Sequence, residues 1–275
     1  CWPSRWVDGF FADPLSTSNE PAASLVRITG ERTWRDDGLD DRDLDVDARV
    51  WLPSAERRLS LLFRSNEDDT VADGPQASEV TGIGEDDSGF RGALRWVINR
   101  TEAMDLDLDT GVRSDLTTFT RLRYRSVHPL FNEWAWLRFT ERVEWRDPKG
   151  WRSRSLFEVD RALSDTASVR LASEIQYSEE LNEDGRGLGL FQGANLFLRQ
   201  SDKAAWNLGA GAAGFTKPEA RVDSYRCYVR YRRQVWRPWL FVEVEPFVLW
   251  PRDQGYQGVN GVTVRLETLF GRLDG

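Results

Sequence analysis

The chain has 275 residues, enough for one large β domain or two ordinary domains. Its 40% hydrophobic and 30% charged residues exclude a disordered chain, and a net charge of −8 with no separate basic cluster excludes a nucleic-acid binder. No apolar run approaches the roughly 18 residues of a membrane helix, which leaves a transmembrane β-barrel open because its signal per segment is much weaker.

Residues 1–22 do not alternate. They hold Pro3, Pro14 and Pro21 and the aromatics Trp2, Trp6, Phe10 and Phe11. They read as a tether, or as a small segment that plugs a lumen or docks on an envelope partner. The leading Cys1 resembles the first residue of a mature bacterial lipoprotein and is the lipidation candidate; an arbitrary sequence start is the bland alternative. The only other cysteine is Cys227. The pattern below places it on the apolar side of a strand, so a disulfide to Cys1 is not expected.

From residue 23 the chain alternates apolar and polar residues in segments separated by turn residues. Fourteen strands are predicted, at 23–35, 43–53, 57–66, 89–99, 102–110, 116–127, 132–146, 151–163, 166–178, 186–200, 203–215, 220–235, 238–250 and 259–271. Twelve to sixteen fit the same pattern. The even connections are short: Pro53–Glu56, Arg100–Thr101, His128–Phe131, Ser164–Asp165, Ser201–Asp202 and Trp236–Arg237. The odd ones include the long acidic Glu67–Ser88 and Glu179–Asp184, together with Arg35–Arg42, Asp147–Gly150 and Pro251–Gly258. Short turns alternating with longer loops are the habit of a transmembrane barrel, with the long loops outside the cell.

Tryptophan is abundant, at 13 residues, and it collects at strand ends. Trp34, Trp145, Trp151 and Trp250 fall on the long-loop side, and Trp236 and Trp239 on the short-turn side. An indole is apolar but its N–H seeks a polar partner, so two such belts mark the two membrane–water interfaces. Core filling in a soluble sandwich explains the number but not the placement.

The polar faces are sorted by sign. The 102–110 segment sets Asp105, Asp107 and Asp109 beside Arg121, Arg123 and Arg125 of the next segment. The 220–235 segment sets Arg226, Arg230 and Arg232 beside Glu243 and Glu245. Opposite charges across a hairpin stabilise each other, and in a narrow lumen such pairing is nearly required. These residues, with Arg265 and Glu267, are expected to line the lumen. The same phase puts Glu141 and Arg161 on the lipid face, where a mid-bilayer charge costs roughly 2–4 kcal/mol. A local slip, a bulge or a position near an interface is therefore expected there.

The last segment reads G-V-N-G-V-T-V-R-L-E-T-L-F-G from Gly258 to Gly271. Val262, Val264, Leu266 and Phe270 share one face, while Thr263, Arg265 and Glu267 share the other. It resembles the closing strand of bacterial outer-membrane β-barrels, including the pattern read by the barrel-assembly machinery. It departs in carrying four further residues, Arg272 to Gly275. The resemblance is to the class, within which the monomeric fourteen-stranded porins are similar in length. It implies an all-β, antiparallel, up-and-down transmembrane barrel over 23–271 in the outer membrane of a Gram-negative bacterium, with a tail at 272–275.

Other motifs carry less. Gly209-Ala-Gly-Ala-Ala-Gly214 matches a dinucleotide loop, but Thr216, Lys217 and Pro218 follow where a helix is needed; its small residues leave room inside a barrel or let a plug or partner approach. Asp105-x-Asp-x-Asp opens like a calcium loop but lacks the glycine and the final glutamate. His128, the single histidine, is expected in a short-side turn. The chain resembles outer-membrane phospholipase A in size and in being a barrel, yet lacks that family's His-x-Ser-Asn-Gly run. Omptin proteases use Asp/His pairs at the outer rim, the wrong side for His128. The acidic connections (Asp36, Asp37, Asp40 and Asp41; Glu67, Asp68 and Asp69; Glu85, Asp86 and Asp87; Glu179, Glu180, Glu183 and Asp184) read as solvated loops, or as divalent-cation bridges to lipopolysaccharide.

The reading is a passive channel for small charged or polar solutes. The alternative is a non-conducting barrel that anchors an envelope assembly, with a membrane-embedded hydrolase third. No catalytic residue, metal ligand or cofactor is expected.

Overall fold

The structure is a computed structural model that describes residues 5–11, 24–51, 59–66, 88–101 and 103–271. Cys1, all of 12–22, the Pro53–Glu56 turn, nearly all of the long acidic 67–88 connection and Arg272–Gly275 lie outside the described residues.

Among the described residues fourteen strands form a closed barrel in which every neighbouring pair except the closing one is also consecutive in sequence. They are β1 (Leu25–Arg35), β2 (Asp41–Trp51), β3 (Leu59–Asn66), β4 (Ser88–Arg100), β5 (Met104–Arg113), β6 (Thr118–Leu130), β7 (Ala135–Arg146), β8 (Gly150–Ser164), β9 (Ala167–Ser178), β10 (Gly189–Ser201), β11 (Ala204–Phe215), β12 (Arg221–Gln234), β13 (Leu240–Pro251) and β14 (Val259–Gly271). β14 closes the ring against β1, from Leu25 opposite Gly271 to Arg35 opposite Gly261. Closure leaves no edge, the condition for a sheet to cross lipid.

The period of two sets the inside and the outside. Along β14, Thr263, Glu267 and Leu269 are buried while Leu266 and Phe270 are exposed. Along β4, Arg91, Ala93, Arg95 and Val97 are buried while Phe90, Leu94, Trp96 and Ile98 are exposed. The charged face is the buried one and the greasy face is the exposed one. That is the inverse of a soluble protein and the distribution lipid requires.

Several details differ from the sequence expectation. His128 is not in a turn: β6 runs on to Leu130, and His128 is exposed on the outer wall opposite Leu137. The turn lies at Phe131–Trp134, where Phe131, Asn132 and Glu133 all adopt positive φ. Pro129 read as a turn signal; it is tolerated as the next-to-last residue of β6, where the ladder ends. The β7–β8 connection on the long-loop side has only Asp147, Pro148 and Lys149, so short and long connections do not alternate throughout. The first helix, α1, is Arg5–Phe11, and the 179–184 stretch holds a helical turn, α2 (Glu179–Glu183), capped by Ser178, whose Oγ accepts from the Leu181 amide at 3.0 Å.

Glu141 faces outward in mid-strand without any bulge in the pairing of β7 with β6 or β8. The Ser155 hydroxyl donates to its carboxylate at 2.5 Å. Arg161 also faces outward, three residues from the short-turn end of β8, with its guanidinium 3.8 Å from the Trp134 ring centroid. It sits in the interfacial belt, where a stacked, partly hydrated guanidinium is tolerated.

Candidate functional site: the charged lumen

The interior positions of β12, β13, β14 and β1 build one ion-pair network. Arg226 reaches Glu245 at 2.7 Å, and Arg230 donates to the same carboxylate. Arg232 bridges Glu243 and Glu267, the latter at 2.5 Å. Arg265 joins Glu245 at 3.3 Å and also bonds Glu31, and Arg27 of β1 reaches Glu267 at 3.0 Å. Glu243, Glu245 and Glu267 are each shared by two or more guanidiniums, which offsets the desolvation cost of burying them. The strand register brings these residues together: Arg232 stands opposite Glu243, and Glu243 opposite Arg265.

A second network spans β4 to β6. Arg95 holds Asp109 through two bonds of 2.7 Å, Arg123 donates to Asp107, and Arg100 lies 3.5 Å from Asp105. Sequence reasoning pairs strictly across the β5–β6 hairpin. Instead Asp109 turns to β4, and Arg121 turns to Glu144 of β7, which also accepts from Arg146. Arg125 faces the lumen opposite Asp105 and Thr140.

A third network was not singled out from sequence. On β7 to β9, Arg138 and Arg170 enclose Glu158 and Asp160, with Arg170 at 2.5 Å and Arg138 at 3.2 Å from Asp160. Arg154 binds Glu174 at 2.7 Å. Arg138 and Arg170 are fully buried. The signal was present as charge on alternate positions (Arg138, Arg142, Glu144, Arg146), but mixed signs on one strand hid it.

Two glycines of β11, Gly209 and Gly211, make room for neighbouring rings. A Cβ on Gly209 would stand 2.3 Å from the Tyr228 ring, and one on Gly211 2.8 Å from that of Phe191. Tyr228 in turn donates its hydroxyl to Asn195 at 2.7 Å and accepts from Asn207 at 3.2 Å, a buried polar bridge across β10, β11 and β12.

At the short-turn end a helix, α1 (Arg5–Phe11), lies inside the barrel. Val7 is fully buried, Phe10 meets Phe241 edge-on at 6.1 Å, and Phe11 packs 5.4 Å from Phe197. Arg199 lies 5.7 Å from the Trp6 ring. At the long-loop end the lumen widens into a vestibule of about 890 Å³, lined among others by Arg35, Arg186, Arg226, Arg265, Asp223 and Phe247. On this rim Asp115 accepts from the hydroxyl and the amide of Thr117, which hold its carboxyl below the usual range.

The predicted interface tryptophans sit at strand ends. Trp34, Trp145 and Trp151 are exposed at the long-loop ends and Trp250 is half-buried there; Trp236 and Trp239 are exposed in the β12–β13 turn. Cys227 is an exposed free thiol on the outer wall.

No protein-family model and no curated protein matches the chain. Among solved structures it is similar to the outer membrane channel DcaP of Acinetobacter baumannii, with 9% identity, a TM-score of 0.51, and coverage of 92% of this chain and 99% of that one. It is also similar to OmpT, an outer membrane protein of Vibrio cholerae, at 10% identity and a TM-score of 0.48 over 92% of this chain and 99% of that one. The KdgM porin matches at 10% identity and a TM-score of 0.43 over 88% and 98%. The likeness to DcaP is one of fold. With the greasy exterior, it makes the chain a fourteen-stranded barrel of the outer-membrane type.

Proposed function

We propose that the barrel is a passive outer-membrane channel for small charged or polar solutes. The sorting of charge around the lumen carries this reading. Asp43, Asp45 and Asp47 occupy interior positions of β2, in register with Glu31, Thr29 and Arg27. Arg142 of β7 and Arg154 of β8 occupy interior positions five and six strands further round the ring of fourteen, close to the far wall. Such a field runs across the lumen and orients a dipolar solute, and the vestibule of about 890 Å³ has room for one. In planar bilayers the purified barrel is expected to give discrete conductance steps; a silent membrane overturns the reading.

A second reading, a non-conducting barrel that anchors an envelope assembly, draws on the position of α1 among Phe197, Phe241 and Arg199. Removing residues 1–22 is expected to raise conductance if that segment obstructs the lumen; unchanged steps remove the plug. We read the chain as a non-enzyme, since His128 lies on the outer wall, away from the luminal carboxylates. The acidic outer connections suit divalent cations shared with lipopolysaccharide, and β14 suits recognition by the barrel-assembly machinery.

A further inference from the structure

At the short-turn end, the outer wall of β11 and β12 carries a group of cations. Lys203 and Arg237 stand in the turns on either side of this pair of strands. Arg233 faces outward from β12 itself, next to Arg232, which is buried on the inner face. Lys203, Arg233 and Arg237 are all exposed. The backbone gathers them. Gln234 donates its amide to the Lys203 carbonyl at 2.8 Å, and its side chain donates to the Pro238 carbonyl at 2.7 Å, which folds the second turn back on β12. Arg232 bridges Glu243 and Glu267 in the lumen. Its three exposed neighbours, in contrast, pair with no carboxylate among the described residues, and Asp202, the acid of these two turns, bonds none of them. Gathered like charges repel, so the group favours an anion between them.

Next to the cations the outward rings form two pairs. Trp206 and Tyr231, opposite each other in register, lie 4.5 Å apart, and Trp239 and Phe270 lie 5.6 Å apart. Between the pairs β13 presents the shorter Val242 and Val244, in register with Arg233 and Tyr231. The cations therefore edge a lane of short apolar side chains walled by aromatic rings. Such a combination belongs where the wall meets the membrane surface, because indoles favour the interface and long cationic side chains reach from an apolar wall to water.

We propose that this patch is a binding site for an anionic phospholipid of the periplasmic leaflet. Lys203, Arg233 and Arg237 hold its phosphate, and an acyl chain lies along Val242 and Val244. A guanidinium fork matches the oxygens of a phosphate, and the ammonium adds a point charge. A zwitterionic headgroup brings its own ammonium against the same cations and is disfavoured. Short turns face the periplasm in barrels of this type, which sets the leaflet. A lipid fits better than a protein partner because Arg233 and both ring pairs lie on the side of the wall, where lipid is the neighbour. The site does not depend on whether the barrel conducts.

Native mass spectrometry of the purified barrel, given phosphatidylglycerol and phosphatidylethanolamine in equal amounts, reads the preference directly. The wild type is expected to retain phosphatidylglycerol roughly tenfold over the zwitterionic lipid, and Arg233→Gln with Arg237→Gln to lower this to about twofold or less. Arg221→Gln with Arg252→Gln removes the same charge from exposed positions at the long-loop end and is expected to leave the preference unchanged. Equal retention of the two lipids by the wild type overturns the proposal and leaves the patch to a soluble partner. An equal fall in both double variants also overturns it, as attraction to overall charge. Glycerophosphate in excess separates the two sources of phosphate. Lipid that stays bound supports the site, whereas lipid released by it shows a bare phosphate site and overturns the lipid reading. Heat-modifiable migration of each variant shows that it has folded.

Discussion

Glu141 is the outward-facing carboxylate in the middle of β7, and its local partner is the Ser155 hydroxyl at 2.5 Å. In lipid that hydrogen bond offsets only part of the desolvation of a carboxylate. Replacing both, Glu141→Leu with Ser155→Ala, is expected to stabilise the barrel in bilayers by about 1 kcal/mol or more, read from urea unfolding in vesicles. A loss of stability would mean that something other than lipid covers this face. Gly209 makes the opposite case on the inner wall. A Cβ there meets the Tyr228 ring at 2.3 Å, and that ring is tied to Asn195 and Asn207. Gly209→Ala is expected to destabilise by roughly 1–3 kcal/mol, the scale of overpacking. An alanine tolerated without loss would show that Tyr228 can leave its bridge freely. Both residues lay in plain view in the sequence, but only Glu141 announced its difficulty, because an outward charge breaks the alternation whereas a glycine between Leu208 and Ala210 breaks nothing.

At the scale of the element, the seam between β14 and β1 depends on more than its backbone ladder. Glu267 of β14 accepts from Arg27 of β1 and from Arg232 of β12, so one buried carboxylate ties the closing strand to both sides. Glu267→Gln leaves two guanidiniums competing for one neutral amide, at a cost of roughly 3–5 kcal/mol by analogy with broken buried pairs. The expected result is a barrel that loses its heat-modifiable compact form at markedly lower temperature. A wild-type midpoint would show that the seam is held by its hydrogen-bond ladder alone. The strands themselves were legible, since a period of two over some 250 residues is a long signal, and ends such as those of β1 and β14 fall within two residues of expectation. The partners of individual charges were not. Asp109 has two interior neighbours, Arg121 in register on β6 and Arg95 in register on β4, and the sequence contains no term that favours one. Side-chain geometry decides for Arg95. Pro246 shows the same limit: it lies inside β13, and the registered pairing with β12 passes from Tyr228–Phe247 to Tyr231–Val244 around it, a gap that follows from its missing N–H.

For the whole molecule the deciding quantity is which face meets lipid, since alternation alone fits a soluble sheet equally well. The tryptophans discriminate. Trp34, Trp145 and Trp151 on one rim, and Trp134, Trp206 and Trp239 towards the other, are exposed on the outer wall or its turns rather than in the lumen. They lie near strand ends, not at mid-strand. A barrel in vesicles of brominated phospholipid is therefore expected to lose most of its tryptophan fluorescence, and to lose more to bromines placed near the headgroup than to bromines at the chain ends. Iodide added to the water is expected to reach chiefly Trp236, which is 93% exposed in the β12–β13 turn. Strong iodide quenching with little effect of bromine would put the greasy face in water and refute the inverted barrel. Stronger quenching by deep bromines than by shallow ones would keep the barrel but move the two belts away from the interfaces. The charged lumen would then span less of the bilayer than the strand lengths imply.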